Sequence, residues 1–123
     1  MANTIFIIHV SGDEFRRVAS VVAPEADGVR LYESSADFLE AVTPDARGCV
    51  LASSDLTGSG MCALIKGIQA QGLQLPVVVL GRDADLAAAV AFMRAGAAEY
   101  VELPVLDRRL RKVVRQALAL GQS

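Results

Sequence analysis

One serine, one histidine and three aspartates stand at positions where side chains could do chemistry: Ser53, His9, and Asp13, Asp55 and Asp83. Ser53 with His9 and either Asp55 or Asp83 has the residue types of a nucleophile, its base and an orienting acid. A nucleophilic serine, however, sits on a sharp elbow such as GxSxG, with donors for an oxyanion. Ala52-Ser53-Ser54-Asp55 is not that elbow. A lone histidine at a strand end is more often a hydrogen-bonded or half-exposed packing residue than a base, so no hydrolase chemistry, and no enzyme, is expected. The three aspartates carry the oxygen donors that Mg²⁺ prefers. Helix capping accounts equally well for Asp13 and Asp83, and Asp55 reads as a loop residue facing solvent. No metal site and no cofactor is expected. No GxGxxG follows the first apolar run, where His9-Val10-Ser11-Gly12 stands, and no glycine-lysine phosphate loop occurs, so nucleotide binding is unsupported.

The elements that would position these residues follow from periodicity. Thr4-Ile5-Phe6-Ile7-Ile8, Val29–Tyr32, Gly48–Ala52, Val77–Leu80 and Glu99–Glu102 read as strands. Val29–Tyr32 alternates as a sheet-edge strand does. Between them the spacing predicts helices: one capped by Asp13 or a neighbour, with Phe15, Val18, Val21 and Val22 inward; a short one capped by Ser34-Ser35, with Phe38, Leu39 and Val42 inward; and Met61 to Ala70, ended by Gly72. An alanine-rich helix ends at Ala95-Gly96, and a last one runs near Leu106 to Leu120 with Leu106, Leu110, Val113, Val114, Ala117 and Leu118 inward. Strands alternating with helices across short loops mean a parallel sheet covered on both faces. Functional groups then gather at the carboxyl ends of the strands: His9–Gly12, Ser53–Gly60, Gly81–Asp85 and Leu103–Pro104.

The chain has 123 residues, the size of one domain, 53% of them hydrophobic, as strands buried on both faces require. No uncharged stretch approaches the length of a membrane span, and Met1–Val10 lacks the basic start and cleavage site of a signal peptide. A soluble, cytoplasmic protein without membrane contact is expected. The net charge of −2 leaves no electrostatic footprint for nucleic acid. Arg108, Arg109, Arg111, Lys112 and Arg115 crowd the last helix, read as a solvated face with cations suitably placed toward the C-terminal half. Cys49 and Cys62 form no CxxC pair, and Cys49 reads as a small buried hydrophobe.

Four segments together carry a family resemblance: Ser34-Ser35-Ala36-Asp37-Phe38-Leu39, Gly48-Cys49-Val50-Leu51, Leu75-Pro76-Val77, and Met93-Arg94-Ala95-Gly96-Ala97-Ala98-Glu99-Tyr100. In their order and spacing, from about Thr4 to Leu120, the chain resembles a bacterial response-regulator receiver domain of two-component phosphorelay signalling. It is most similar to the nitrogen-fixation-regulator branch, whose members often carry a LuxR-type DNA-binding domain. The resemblance implies an α/β flavodoxin-like (βα)5 three-layer sandwich, its five-stranded parallel sheet in the order 2-1-3-4-5, with residues 1–123 forming a single domain. Such domains take a phosphoryl group from a histidine kinase onto an aspartate ending the third strand. An acidic pair after the first strand holds Mg²⁺, a Ser or Thr and a Lys grip the phosphate, and an aromatic in the fifth strand reports the change.

Carried over residue by residue, the resemblance departs from the family at its chemistry. The acidic pair falls on His9-Val10, or on Val10-Ser11 if the helix is aligned instead. The acceptor falls on Ser53, followed by Leu56-Thr57-Gly58 where the family has a hydrophobic-Pro-Gly turn. The Ser or Thr falls on Gly81, and the Lys on Leu103. Only the aromatic is kept, as Tyr100, which also reads as a packing residue with its hydroxyl at the surface. The Leu103–Pro104 bond is cis in many receivers.

The reading is a pseudo-receiver, not phosphorylated on aspartate, that acts by protein–protein interaction through its α4-β5-α5 face. That face pairs Asp83, Asp85 and Glu99 with Arg108, Arg109, Arg111 and Arg115, a mixture suited to a two-fold homodimer. The implied partners are signalling proteins: a histidine kinase, a phosphotransferase or an output protein. Alternatives are a phosphoryl-accepting receiver using a non-standard residue such as Asp55, the receiver of a larger LuxR-type regulator, and a sensor binding a small ligand among Val10, Ser53, Gly81 and Leu103. Filling of that pocket by side chains is the favoured outcome.

Overall fold

Apolar runs become the middle of a sheet here because both of their faces are covered. The computed structural model describes residues 3–10, 12–54, 60–81 and 86–121. Five strands, β1 (Thr4–Ile8), β2 (Gly28–Tyr32), β3 (Gly48–Ser53), β4 (Val77–Gly81) and β5 (Glu99–Glu102), alternate with α1 (Gly12–Val22), α2 (Ser35–Ala41), α3 (Gly60–Ala70), α4 (Leu86–Ala95) and α5 (Asp107–Gly121). A 3₁₀ turn, Ala23–Glu25, follows α1. All strand pairs are parallel and the order is β2-β1-β3-β4-β5, the flavodoxin-like arrangement. The order reverses between β1 and β3, so their carboxyl ends form the crevice of such sheets.

Alternation within each strand divides the core in two. Ile5 and Ile7, Cys49 and Leu51, and Val78 and Leu80 face α1 and α5, where Val18, Val22, Leu110, Val113 and Val114 meet them. Phe6 and Ile8, Val50 and Ala52, and Val77 and Val79 face the other way, onto Phe38, Leu64, Ile65 and Ile68 of α2 and α3. Burial pushes the Cys49 thiol up to about 12, which keeps it neutral, as expected of a small apolar filler.

The helix ends have identifiable causes. Ser34 caps α2, its Oγ accepting from the Asp37 amide at 3.1 Å. Gly72 and Gly96 end α3 and α4 at positive φ, and each following pair of amides closes the same motif: Gly72 N to Gln69 O and Leu73 N to Ile68 O, then Gly96 N to Met93 O and Ala97 N to Phe92 O. Asp13 lies inside the first turn of α1 rather than ahead of it.

Two expectations for the last helix are corrected. It starts at Asp107, and Leu106 is 71% exposed because Val105, one residue earlier, takes the buried place. Its cations are not gathered toward the C-terminus: Arg108 and Arg109 stand near its start, and the last turn has no basic residue. What offsets the helix dipole there is Asp107 in the first turn. Among the described residues, no helix is long and apolar enough to cross a membrane.

Candidate functional site

Beyond Ile8 the chain turns through His9, whose φ of 60° is left-handed and uncommon outside glycine. The turn is held by the His9 amide, which donates to the Tyr32 carbonyl at 2.9 Å. His9 Nδ1 lies 3.1 Å from the Glu33 carbonyl, the geometry of an Nδ1–H donor. The exposed ring is thus tied to the β2 side, whereas Ser53 ends β3 on the opposite side of β1. Val10, the next residue, drops into the interior at 3% exposure.

At the end of β3, Ser53 is the one buried polar side chain among the described residues. It pairs in register with Leu80, and the Ser54 amide donates to the Leu80 carbonyl at 2.9 Å. Gly81 closes β4, and its carbonyl accepts from the Leu103 amide at 2.6 Å. Leu103 is 8% exposed and belongs to the same apolar cluster as Val10, Val18 and Leu110. The bond from Leu103 to Pro104 is cis. Where the resemblance places an acidic residue and a lysine, two hydrocarbon side chains therefore share a core, each burial contributing roughly 1.5–3 kcal/mol. These side chains offer no oxygen to a hard divalent cation, and a magnesium site does not fit the described residues at these positions. Among the described residues no group of three metal-ligating side chains converges. Ser11, Asp55, Asp83 and Asp85 lie outside the described residues.

The strand-end cleft is lined by Asp13, Glu14, Arg17, Leu103 and Pro104 and has a volume of about 420 Å³. Arg17 spans it, donating to the Val105 carbonyl and to Asp107 Oδ1 at 3.0 Å. An arginine thereby fastens the start of α5 to α1. Asp13 is exposed, with Arg16 at 4.0 Å, a solvated pair of small consequence.

Tyr100 corrects another expectation. Its ring is half-buried, stacked on Phe92 of α4 at 6.3 Å and 19°, and its hydroxyl lies over the backbone of Gly81 rather than out at the surface.

The α4-β5-α5 face is also not quite as expected. Arg115 turns away from it: Nε and Nη2 donate to both carboxylate oxygens of Glu25 at 2.8 and 2.9 Å. That hydrogen-bonded pair holds the Glu25 carboxyl below its ordinary value, and Arg111, one turn earlier on the same flank, adds to it. Arg109, three residues after exposed Leu106, lies on the other flank. Arg108 is exposed, and Glu99 is half-buried on β5. Sequence reasoning missed the apolar part of this face. Leu86, Val90 and Met93, at i, i+4 and i+7, form an outward stripe exposed by 78%, 41% and 44%. Ala88, Ala89, Phe92 and Ala95 are the partly covered residues, and none of α4 is fully buried. The stripe was visible in the sequence as helical spacing, but that spacing reads ordinarily as the inward face.

The architecture matches that of receiver domains among the solved structures. The transcriptional regulatory protein FixJ of Azorhizobium caulinodans is 31% identical over 114 residues, which cover 90% of this chain and 54% of that protein. The crystal structure of the receiver domain of NtrX from Brucella abortus superimposes with a TM-score of 0.79 at 26% identity, covering 94% of this chain and 98% of that one. Full-length FixJ from B. japonicum shares the fold, with a TM-score of 0.85 at 24% identity over 98% of this chain and 59% of that chain. No protein-family model matches the chain. The chain spans about half the length of the curated relatives it matches. Its structural neighbours thus include a receiver domain, and its curated relatives are transcriptional regulatory proteins.

Proposed function

We propose that this chain is a pseudo-receiver: a two-component signalling domain that works by protein binding, without an aspartyl phosphate, through its α4-β5-α5 face. The observation that carries this reading is the packing of Val10 and Leu103 into one apolar cluster where phosphoryl transfer needs carboxylates and a cation. Serine at position 53 cannot form an acyl phosphate, and the described side chains of Val10 and Leu103 offer a doubly charged phosphoryl group no counter-charge. Asp55 is the nearest carboxylate in sequence and the natural competitor as acceptor.

The binding face is supported by the outward stripe Leu86, Val90 and Met93, since exposed apolar surface at helical spacing marks interaction sites. The elements of this face carry charges of both signs, Arg94 on α4, Glu99 and Glu102 on β5 and Arg109 on α5, which favours a second copy of this chain as occupant. The names of the relatives are those of transcriptional regulators. A receiver of this kind would pass its state to an output protein and need touch neither nucleic acid nor membrane itself.

The test is an amide NMR titration with Mg²⁺ and then beryllofluoride. No movement of Val10, Ser53, Gly81 or Tyr100 at millimolar metal is the expected result. Saturable, concerted shifts of these resonances would mean that an acid site has been rebuilt from Asp13, Asp55 or Asp83, and the proposal would fall.

A further inference from the structure

Gly81 and Tyr100 fit together in a way that no other residue at position 81 allows. Tyr100 pairs in register with Val79, so its ring reaches diagonally across the end of β4 toward Gly81. A Cβ added to Gly81 would lie 1.9 Å from the tyrosine Oη, 2.4 Å from Cζ and 3.1 Å from Cε2. Carbon and oxygen atoms that are not bonded stay about 3 Å apart or more, so the ring fills the volume that any other residue gives to its own side chain. The backbone of Gly81 is not the reason for glycine. Its φ lies outside the left-handed region, unlike those of Gly12, Gly48, Gly72 and Gly96. What the fold uses at this position is the missing side chain.

The other face of the same ring stacks on Phe92. Because α4 has no fully buried residue, Phe92 and the small residues beside it are what hold this helix to the sheet. Tyr100 is therefore the strut between the end of β4 and the helix that carries the outward stripe.

We propose that Gly81 is a positioning residue that fixes Tyr100 inward across the end of β4 and, through Phe92, holds α4 in one pose, so that the binding face is preset without any phosphoryl group. This rests on the reading of the α4-β5-α5 face as the binding surface.

The chain has two tyrosines, so 3-fluorotyrosine labelling in a Tyr32→Phe background gives one ¹⁹F resonance, from Tyr100. The expected result is a single resonance shielded from a soluble paramagnetic relaxation agent. In Gly81→Ala the resonance shifts, and its solvent relaxation rises several-fold. A parent resonance already as accessible as that of the urea-unfolded chain, or a Gly81→Ala resonance that does not move, overturns the proposal. Should Gly81→Ala fail to fold, Gly81→Ala with Tyr100→Ala decides. Folding of the double variant supports the steric coupling, and failure of both overturns it. The link to binding is read from the self-association constant, which Gly81→Ala should weaken tenfold or more. A displaced tyrosine with unchanged association overturns the link and leaves the binding face standing. A parent that never self-associates removes the binding face instead, whatever the ¹⁹F result.

Discussion

At the scale of single residues, the exchange of charge for hydrocarbon makes a stability prediction. Val10 is 3% exposed among Val18, Leu103 and Leu110, so Val10→Asp would place a carboxylate in an apolar cluster. A buried charge without a partner costs several kcal/mol or is neutralised by taking up a proton. Urea unfolding at neutral pH should show a loss of about 3 kcal/mol. A loss below about 1 kcal/mol would mean that position 10 still opens to water, as an acid-pocket residue does. The places of Gly81 at the end of β4 and of Leu103 just before Pro104 were legible in the sequence. The position of Tyr100 was not. A glycine in a strand is read for its backbone, and nothing in the linear order says that a ring two strand positions away has moved into its empty side-chain volume. His9 was legible as a hydrogen-bonded residue at a strand end, although its left-handed turn was not.

At the scale of elements, the strands and most helices could be read because each has a local cause. The central strands β1, β3 and β4 are apolar on both faces, α2 has its serine cap, and α3 and α4 have their terminal glycines. The start of α5 and the roles of its cations depended on partners distant in sequence. Arg17 of α1 holds Asp107, and Arg115 reaches back to Glu25 in the 3₁₀ turn after α1. The second pair predicts a pH dependence. Glu25 has a lower pKa in the folded chain than its ordinary value, because the bonded Arg115 guanidinium favours the charged form. Its contribution is complete above the ordinary carboxylate pKa and is lost as pH falls through the lowered folded value. Unfolding midpoints of the parent and Glu25→Gln, followed from about pH 6 to about pH 3, should therefore converge as the pH falls. Two curves that stay parallel throughout would show that the pair is fully screened by solvent.

At the scale of the whole molecule, α4 turns Leu86, Val90 and Met93 outward and meets the sheet side through small residues and Phe92. Alanine at positions 88, 89 and 95 lets the helix lie close, and Leu86, Val90 and Met93 are left on the outside. A stripe of this kind is costly to leave in water and makes no contribution to the core, which separates its effect on association from its effect on folding. Val90→Glu places a charge in the middle of the stripe, and Leu86→Glu repeats the change one turn away. In sedimentation equilibrium the parent should self-associate without any phosphoryl donor, and either variant should be monomeric at concentrations where the parent is dimeric. Both variants should keep the parent's unfolding free energy to within about 0.5 kcal/mol, as surface substitutions do. Loss of stability together with association would place the stripe in the core of the chain rather than on its binding face. Association of the parent that survives both charges would move the contact to another surface, with exposed Leu31 on the edge strand β2 the next to test. A dimer abolished by these charges and indifferent to acetyl phosphate would fit a receiver fold in which the interaction face has outlived the phosphoryl chemistry.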